Sequence, residues 1–324
     1  MGELFGRILE RIAERTRETG SVIVLPTADV PLSGECFRPI LSRTAKRIAF
    51  VDGGNAEILK APNFSLQFIR LYATVHEDNK RVKQVRKEFF ALIVANSKNG
   101  LSYDVETFDT DFKLNESFDA DDATLRTGTH LATPSAVADA VRTFAEFSLA
   151  QEVCTGLRAG DLLVRDGDLM PTQTYVNQYV DELKRAAVQR GVLLCGLSKT
   201  TTVLTDSGNS AAAALQRIAP AGQWLYQPPG SPISFVKLHA KSNYVFRLDT
   251  VQAEHARVIA CALSSQATDP VFLGYPYGLI EADQFAQVAG NEAAKLRLQV
   301  RAHGGTQLTA HLSALNAHDT LNRL

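Results

Sequence analysis

The chain has 324 residues, of which 45% are hydrophobic and 21% charged, with a formal net charge of −1. That is enough apolar material for one large domain with additions, or for two modest ones around sizeable cores. A charge so near zero excludes bulk attraction to nucleic acid, so any such contact has to come from a local basic patch.

The first predicted element is an amphipathic helix, with Leu4, Phe5, Ile8, Leu9 and Ile12 along one side. Residues 20–45, with several Gly, Pro, Ser and Thr, read as a connecting region. Arg47 to Val51 is the first predicted strand, Phe64 to His76 the second and Val85 to Ala95 the third, although Glu88 to Leu92 also fits a helix. Leu101 to Phe108 completes a meander after the Asn99-Gly100 turn, and Asp109 to Asp122 reads as an acidic surface loop. Thr133-Pro134 opens a helix as N-cap and first helical residue, and its apolar face is Val137, Val141, Phe144, Ala145 and Leu149. The strand Leu162-Leu163-Val164 follows, then a helix from Thr174 to Arg190 and the apolar strand Gly191 to Gly196. Phe235 to His239 and Tyr244 to Leu248 form a hairpin, Gln252 to Leu263 a helix, Tyr275 to Gly278 a turn, and two helical stretches close the chain. A strand meander followed by helix, strand, helix and strand is the order of a ribonuclease H-like α/β fold, a mixed sheet flanked by helices, with N- and C-terminal helical additions. The expected divisions are residues 1–44, 45–290 and 291–324.

Cys36, Cys154, Cys195 and Cys261 are scattered without a C-x-x-C pair, and the seven histidines form no H-E-x-x-H or H-x-H pattern. Zinc ligation, a disulfide framework and a histidine-rich metal site therefore lack support. The N-terminal stretch is not a signal peptide, Met1-Gly2 lacks the Ser or Thr of a myristoylation signal, and no run reaches membrane-span length. The expectation is a cytoplasmic protein with no membrane contact.

Two aspartates end apolar, strand-like runs: Asp52 in Val51-Asp52-Gly53-Gly54 and Asp166 in Arg165-Asp166-Gly167-Asp168. Either Asp-Gly pair alone also fits a hairpin turn. In the inferred topology the two strand ends are neighbours, which suits groups that hold a metal or move a proton. Glu146, among Phe144, Ala145, Phe147 and Leu149, is a third candidate; pairing with Arg142 four residues earlier is the alternative, and Glu152 is a competing choice. Converging carboxylates need a cation to stay ionised, and an all-oxygen set suits Mg²⁺ or Mn²⁺. Two such ions would suit phosphodiester hydrolysis.

Several short motifs resemble the NurA nucleases: Phe50-Val51-Asp52-Gly53-Gly54, Arg142-x-x-Ala145-Glu146, Leu163-Val164-Arg165-Asp166-Gly167, Gly196-Leu197-Ser198-Lys199-Thr200 and Gly274-Tyr275-Pro276-Tyr277-x-Leu279-x-x-Ala282. They fall in the family's order over about residues 45–290. The resemblance implies a homodimeric, manganese-dependent deoxyribonuclease, a 5'-3' exonuclease, an endonuclease or both. It implies work with the hexameric translocase HerA on DNA breaks, or in a related DNA-processing or defence system. It makes Asp52, Glu146 and Asp166 the metal ligands and sets Lys199 beside the site, to contact the scissile phosphate or balance charge; a surface lysine is the alternative. Many members carry a histidine after the Tyr-Pro segment where this chain has Ala282-Asp283-Gln284. Asp283 therefore becomes a fourth candidate ligand, or else an acid favoured near a helix N-terminus.

For DNA contact the candidates are Lys199, Arg247, Tyr275 and Tyr277, the tyrosines as base-stacking groups and Arg247 on a phosphate or paired with Asp249. The basic run Lys80, Arg81, Lys83, Arg86 and Lys87 tracks a DNA backbone or forms a solvated tip. The N-terminal helix docks on a second protomer or on the translocase, or packs on its own domain. Two other readings stay open: a catalytically weak DNA-binding or adaptor subunit, and an actin-like ATPase or phosphotransferase. The latter has no G-x-x-x-x-G-K-[ST] loop to support it.

Overall fold

The computed structural model describes residues 1–304 except 19, 44, 46, 99, 113, 115, 116, 171 and 172. The elements begin with α1 (Gly2–Arg15), β1 (Val22–Val24), β2 (Asp29–Pro31), β3 (Phe37–Pro39), β4 (Arg47–Ala61), β5 (Phe64–Glu77), β6 (Lys80–Asn96), β7 (Ser102–Phe108) and β8 (Ser117–Asp119). There follow α2 (Pro134–Thr155), β9 (Leu162–Asp166), α3 (Asn177–Arg190), β10 (Leu193–Ser198), β11 (Leu204–Thr205), α4 (Ala211–Ile218) and β12 (Trp224–Tyr226). The last described elements are β13 (Ile233–Lys237), β14 (Phe246–Thr250), α5 (Ala256–Ser264), α6 (Tyr277–Ala286) and α7 (Gly290–His303). Together they make a large mixed sheet flanked by helices. No described helix is long and apolar enough to cross a membrane. The last 20 residues of the expected C-terminal helical extension, 305–324, and Asn99 of the expected turn lie outside the described residues.

The chain divides into two compact units. The first holds Met1–Lys46, Val164–Leu169 and Leu193–Tyr277. Its strands in the large sheet run β3-β12-β13-β14-β10-β9, and β11-β1-β2 make a separate small sheet. The predicted hairpin is present: β13 and β14 pair antiparallel, with Phe235 opposite Arg247. The segment expected to be a plain connection instead contributes β1, β2 and β3. Among its apolar residues Ile23 and Val30 are buried at the centres of β1 and β2, which the surrounding Gly and Pro concealed. Helix α1 forms as expected, with no buried residue.

The second unit holds Arg47–Leu163, Met170–Val192 and Gly278–Leu324. Its meander runs β4-β5-β6-β7-β8, with Asp78 and Asn79 at φ 48° and 61° closing the β5–β6 hairpin. Glu88 to Leu92 is strand, within β6. Helix α2 starts as predicted: the Thr133 hydroxyl accepts a bond from the Ala136 N–H at 3.3 Å, and Pro134 sits in the first turn. It is buried over most of its circumference, with Val137, Val141, Phe144, Ala145, Glu146, Phe147 and Leu149 all inside.

The largest departure from expectation is β4. It does not end at Val51 but continues to Ala61, pairing with β5 throughout, so Asp52 lies opposite Tyr72 in mid-strand. The Asp-Gly-Gly sequence mimics a turn, yet here the glycines remain extended because neighbouring elements press on them. An added Cβ at Gly53 would meet the Glu146 carboxylate at 2.7 Å, and one at Gly54 would strike the Ala286 carbonyl. Gly278 fills a similar role on α6, where a Cβ would enter the ring of Phe50.

Phe50 is fully buried and its ring has no room to withdraw. Gly278→Ala should therefore destabilise the protein by about 2 kcal/mol, since overpacking outweighs the helix-propensity gain of ~1 kcal/mol or less at the helix start. Urea unfolding checks this, and an unchanged or raised midpoint would contradict it.

Candidate functional site

Alternation along β4 sends Phe50 and Asp52 to one sheet face and Val51 and Gly53 to the other. Helix α6 covers the first face. Gly278 lies over Phe50, Phe285 stacks on Tyr72 with ring centroids 5.0 Å apart, and the end of the helix reaches Gly54. Asp52 is part-buried there, its Oδ1 accepting the Gly53 N–H at 2.7 Å. Asp283 is exposed in the middle of α6, well past its first turn, so a helix N-terminal role does not apply.

Helix α6 is pinned by Glu281, which sequence reasoning missed. Its buried carboxylate accepts from the Tyr72 hydroxyl at 2.9 Å and from Arg81 at 2.9 Å, and lies 3.1 Å from His76 Nε2. Burial pushes Glu281 up, but the bonds from Arg81, Tyr72 and His76 outweigh it and hold the carboxyl below its usual range. Burial and the same carboxylate push the Tyr72 hydroxyl up to about 12. Desolvation lowers His76 despite its acidic neighbour. The available signal was His76 and Tyr72 four residues apart on one strand, on the face that carries Asp52.

On the opposite face α2 presents Glu146, fully buried against the backbone of Gly53. Arg142 makes an ion pair with Glu146 and donates to the Gly53 carbonyl at 3.2 Å. The Glu146 charge, against the cost of burial, keeps the Arg142 guanidinium firmly protonated, with Asp139 and Asp52 adding to it. The alternative reading of Glu146, a pair with Arg142, is thus realised, but in the interior rather than in solvent.

In the first unit Asp166 ends β9, and Gly167, at φ +102°, turns the chain away. That left-handed conformation requires glycine. The turn is braced on β10, where Gly167 N–H donates to the Leu197 carbonyl at 3.0 Å and Gly196 leaves room for it. Asp249 also supports it, accepting from Leu169 N–H at 3.1 Å. Lys199 Nζ lies 2.7 Å from Asp166 Oδ2, and the Tyr275 hydroxyl donates to Asp166 Oδ1 at 3.1 Å. Lys199 also sits 5.6 Å from the centre of the Tyr275 ring.

Several expected DNA contacts have other occupations. Tyr275 is fully buried between Phe246 and Phe272, so it has no ring face for a base; Phe246 lies far away in sequence. Arg247 is buried and grips Asp249 through two bonds of 2.7 and 2.8 Å, the pairing that the sequence offered as its alternative. In the basic run, Arg81 pairs with Glu281, Arg86 with Glu88 and Lys87 with Glu152. Tyr277 remains half exposed, at 47%.

Among the described residues of the second unit, Asp52 and Asp283 each offer a carboxylate oxygen, and these two oxygens lie within 4.8 Å of each other. Carboxylate oxygens at such spacing fit a hard divalent cation such as Mg²⁺ or Mn²⁺.

A family model described as the NurA domain matches residues 46–288. The crystal structure of the NurA nuclease from Sulfolobus solfataricus is similar, with 12% identity, 93% of this chain and 94% of that one covered, and a TM-score of 0.53. The catalytic domain of human endonuclease V shows 10% identity over 81% of this chain and 91% of its own, with a TM-score of 0.39. Endonuclease V of Ciona intestinalis, solved with an inosine-containing DNA, shows 10% identity over 76% and 90%, with a TM-score of 0.41. No curated protein matches the chain. The fold is the ribonuclease H-like one expected from the element order. With 46–288 of 324 residues covered by one family model, the chain belongs to the NurA family of nucleases.

Proposed function

We propose that this chain is a divalent-metal-dependent deoxyribonuclease whose ion is held by Asp52, Asp166 and Asp283, with Glu146 as a fourth carboxylate beside them. The observation that carries the reading is the approach of the Asp52 and Asp283 carboxylate oxygens to within 4.8 Å of each other in the second unit, and Asp166 joins them on the strength of family membership. Bound there, Mn²⁺ or Mg²⁺ would polarise a phosphodiester oxygen and acidify a water.

The chain's own groups then divide the remaining work. Asp52 and Asp166 are rooted in strands, so their carboxylates hold position without a large entropic cost. Lys199, fixed by Asp166 and the Tyr275 ring, carries a positive charge that can meet the negative charge developing on the phosphate. Tyr277, exposed at the start of α6, is the remaining aromatic candidate for stacking on a base. Two ions rather than one, with Glu146 serving the second, fit the usual demand of in-line phosphodiester cleavage. A homodimer, a HerA-type hexameric translocase and a role in DNA-end processing complete the proposal on the strength of family membership. Light scattering and co-purification with HerA test the first two.

Asp52→Asn and Asp166→Asn should each lower kcat for Mn²⁺-dependent DNA degradation by roughly 100-fold or more while the far-ultraviolet spectrum is unchanged. A fully active, folded Asp52→Asn protein would contradict the reading. Mn²⁺ at a hundredfold excess over its Kd should stabilise the wild type by roughly 3 kcal/mol, seen as a rise in Tm that EDTA reverses. The same titration should leave the Tm of Asp52→Asn unmoved, and an equal rise in both proteins would place the ion elsewhere.

A further inference from the structure

Arg142 is a cation in contact with Glu146 that the proposed chemistry does not use. It lies on α2 four residues before Glu146, ion-paired to that carboxylate and bonded to the Gly53 carbonyl at 3.2 Å. Gly53 follows Asp52 directly, so the guanidinium stands at the strand that carries the candidate ligand. The pair is confined: the Glu146 side chain is 1% exposed and that of Arg142 26%. Glu146 packs so closely on Gly53 that no Cβ fits between them. Within the second unit Asp52 and Asp283 offer oxygens within 4.8 Å of each other, and Glu146 is not part of that group.

We infer that Arg142 is a built-in counter-cation that competes with a second divalent ion for Glu146. The inference rests on the metal-centre reading above and assigns its metal stoichiometry. A fixed positive charge beside Glu146 satisfies the carboxylate that a second ion would need, and it also repels that ion. Asp52 and Asp139 reinforce the protonated guanidinium, so it does not leave by losing its proton. The first ion then binds to the three aspartates, and the second binds weakly, only by displacing Arg142 from Glu146.

The test is a Mn²⁺ titration of the full chain, following free ion by electron paramagnetic resonance. The wild type should show one tight and one weak class, at least ~10-fold apart, and Arg142→Gln should strengthen the weak class by ~10-fold or more. Arg142→Lys keeps the charge and should leave the weak class weak. Two equally tight ions in the wild type, or a weak class unchanged in folded Arg142→Gln, would overturn the inference. If Arg142→Gln does not fold, Glu146→Gln decides. Loss of the weak class with the tight class intact supports competition, whereas a tight class weakened ~10-fold would make Glu146 a ligand of the first ion and overturn it. No Mn²⁺ bound to the wild type at all would instead defeat the metal-centre reading itself.

Discussion

Two missing side chains, at Gly53 and Gly54, let elements close on β4 from both faces. Glu146 of α2 rests against Gly53, and the end of α6 rests against Gly54. Any Cβ at either position would push one of these helices away, and with it a carboxylate. Asp52 thus owes its surroundings to its neighbours rather than to a strand end. Extended backbone with no side chains is what allows a carboxylate-bearing helix to approach a carboxylate-bearing strand.

Crowded acids have to be compensated, and within each unit a basic side chain is built in beside them. Arg142 holds Glu146, and Lys199 holds Asp166. Glu281 shows the same logic in a structural role. Its charge is carried into the interior by three donors, and that network fixes α6, the helix that bears Asp283, on β5. Breaking one partner of such a network would leave a buried charge exposed to a low dielectric, which is far more costly than the pair's net contribution. A rigid shell of this kind suits a site that must hold metal ligands in place.

Much of this was legible from residues alone. The period-2 runs gave the β5–β6–β7 meander and the β13–β14 hairpin, and Thr133-Pro134 gave the start of α2. The order of elements gave a ribonuclease H-like sheet. What escaped notice depended on partners distant in sequence. Asp-Gly-Gly looks like a turn because nothing local reveals that Glu146 and Ala286 fill the space above the glycines. Tyr275 looked available for stacking because Phe246, from a distant strand, helps to bury it. Arg81 and Lys87 read as free cations until Glu281 and Glu152 appeared beside them. Residues 20–45 yielded three short strands that their glycines and prolines disguised.

The central claim is that Asp52, Asp166 and Asp283 form one divalent-metal site. The most direct measurement is the anomalous scattering of crystals soaked in MnCl₂. The account predicts a Mn²⁺ peak within bonding distance of carboxylate oxygens from all three aspartates. A saturated crystal with no peak there, or with its strongest peak on other residues, would contradict it.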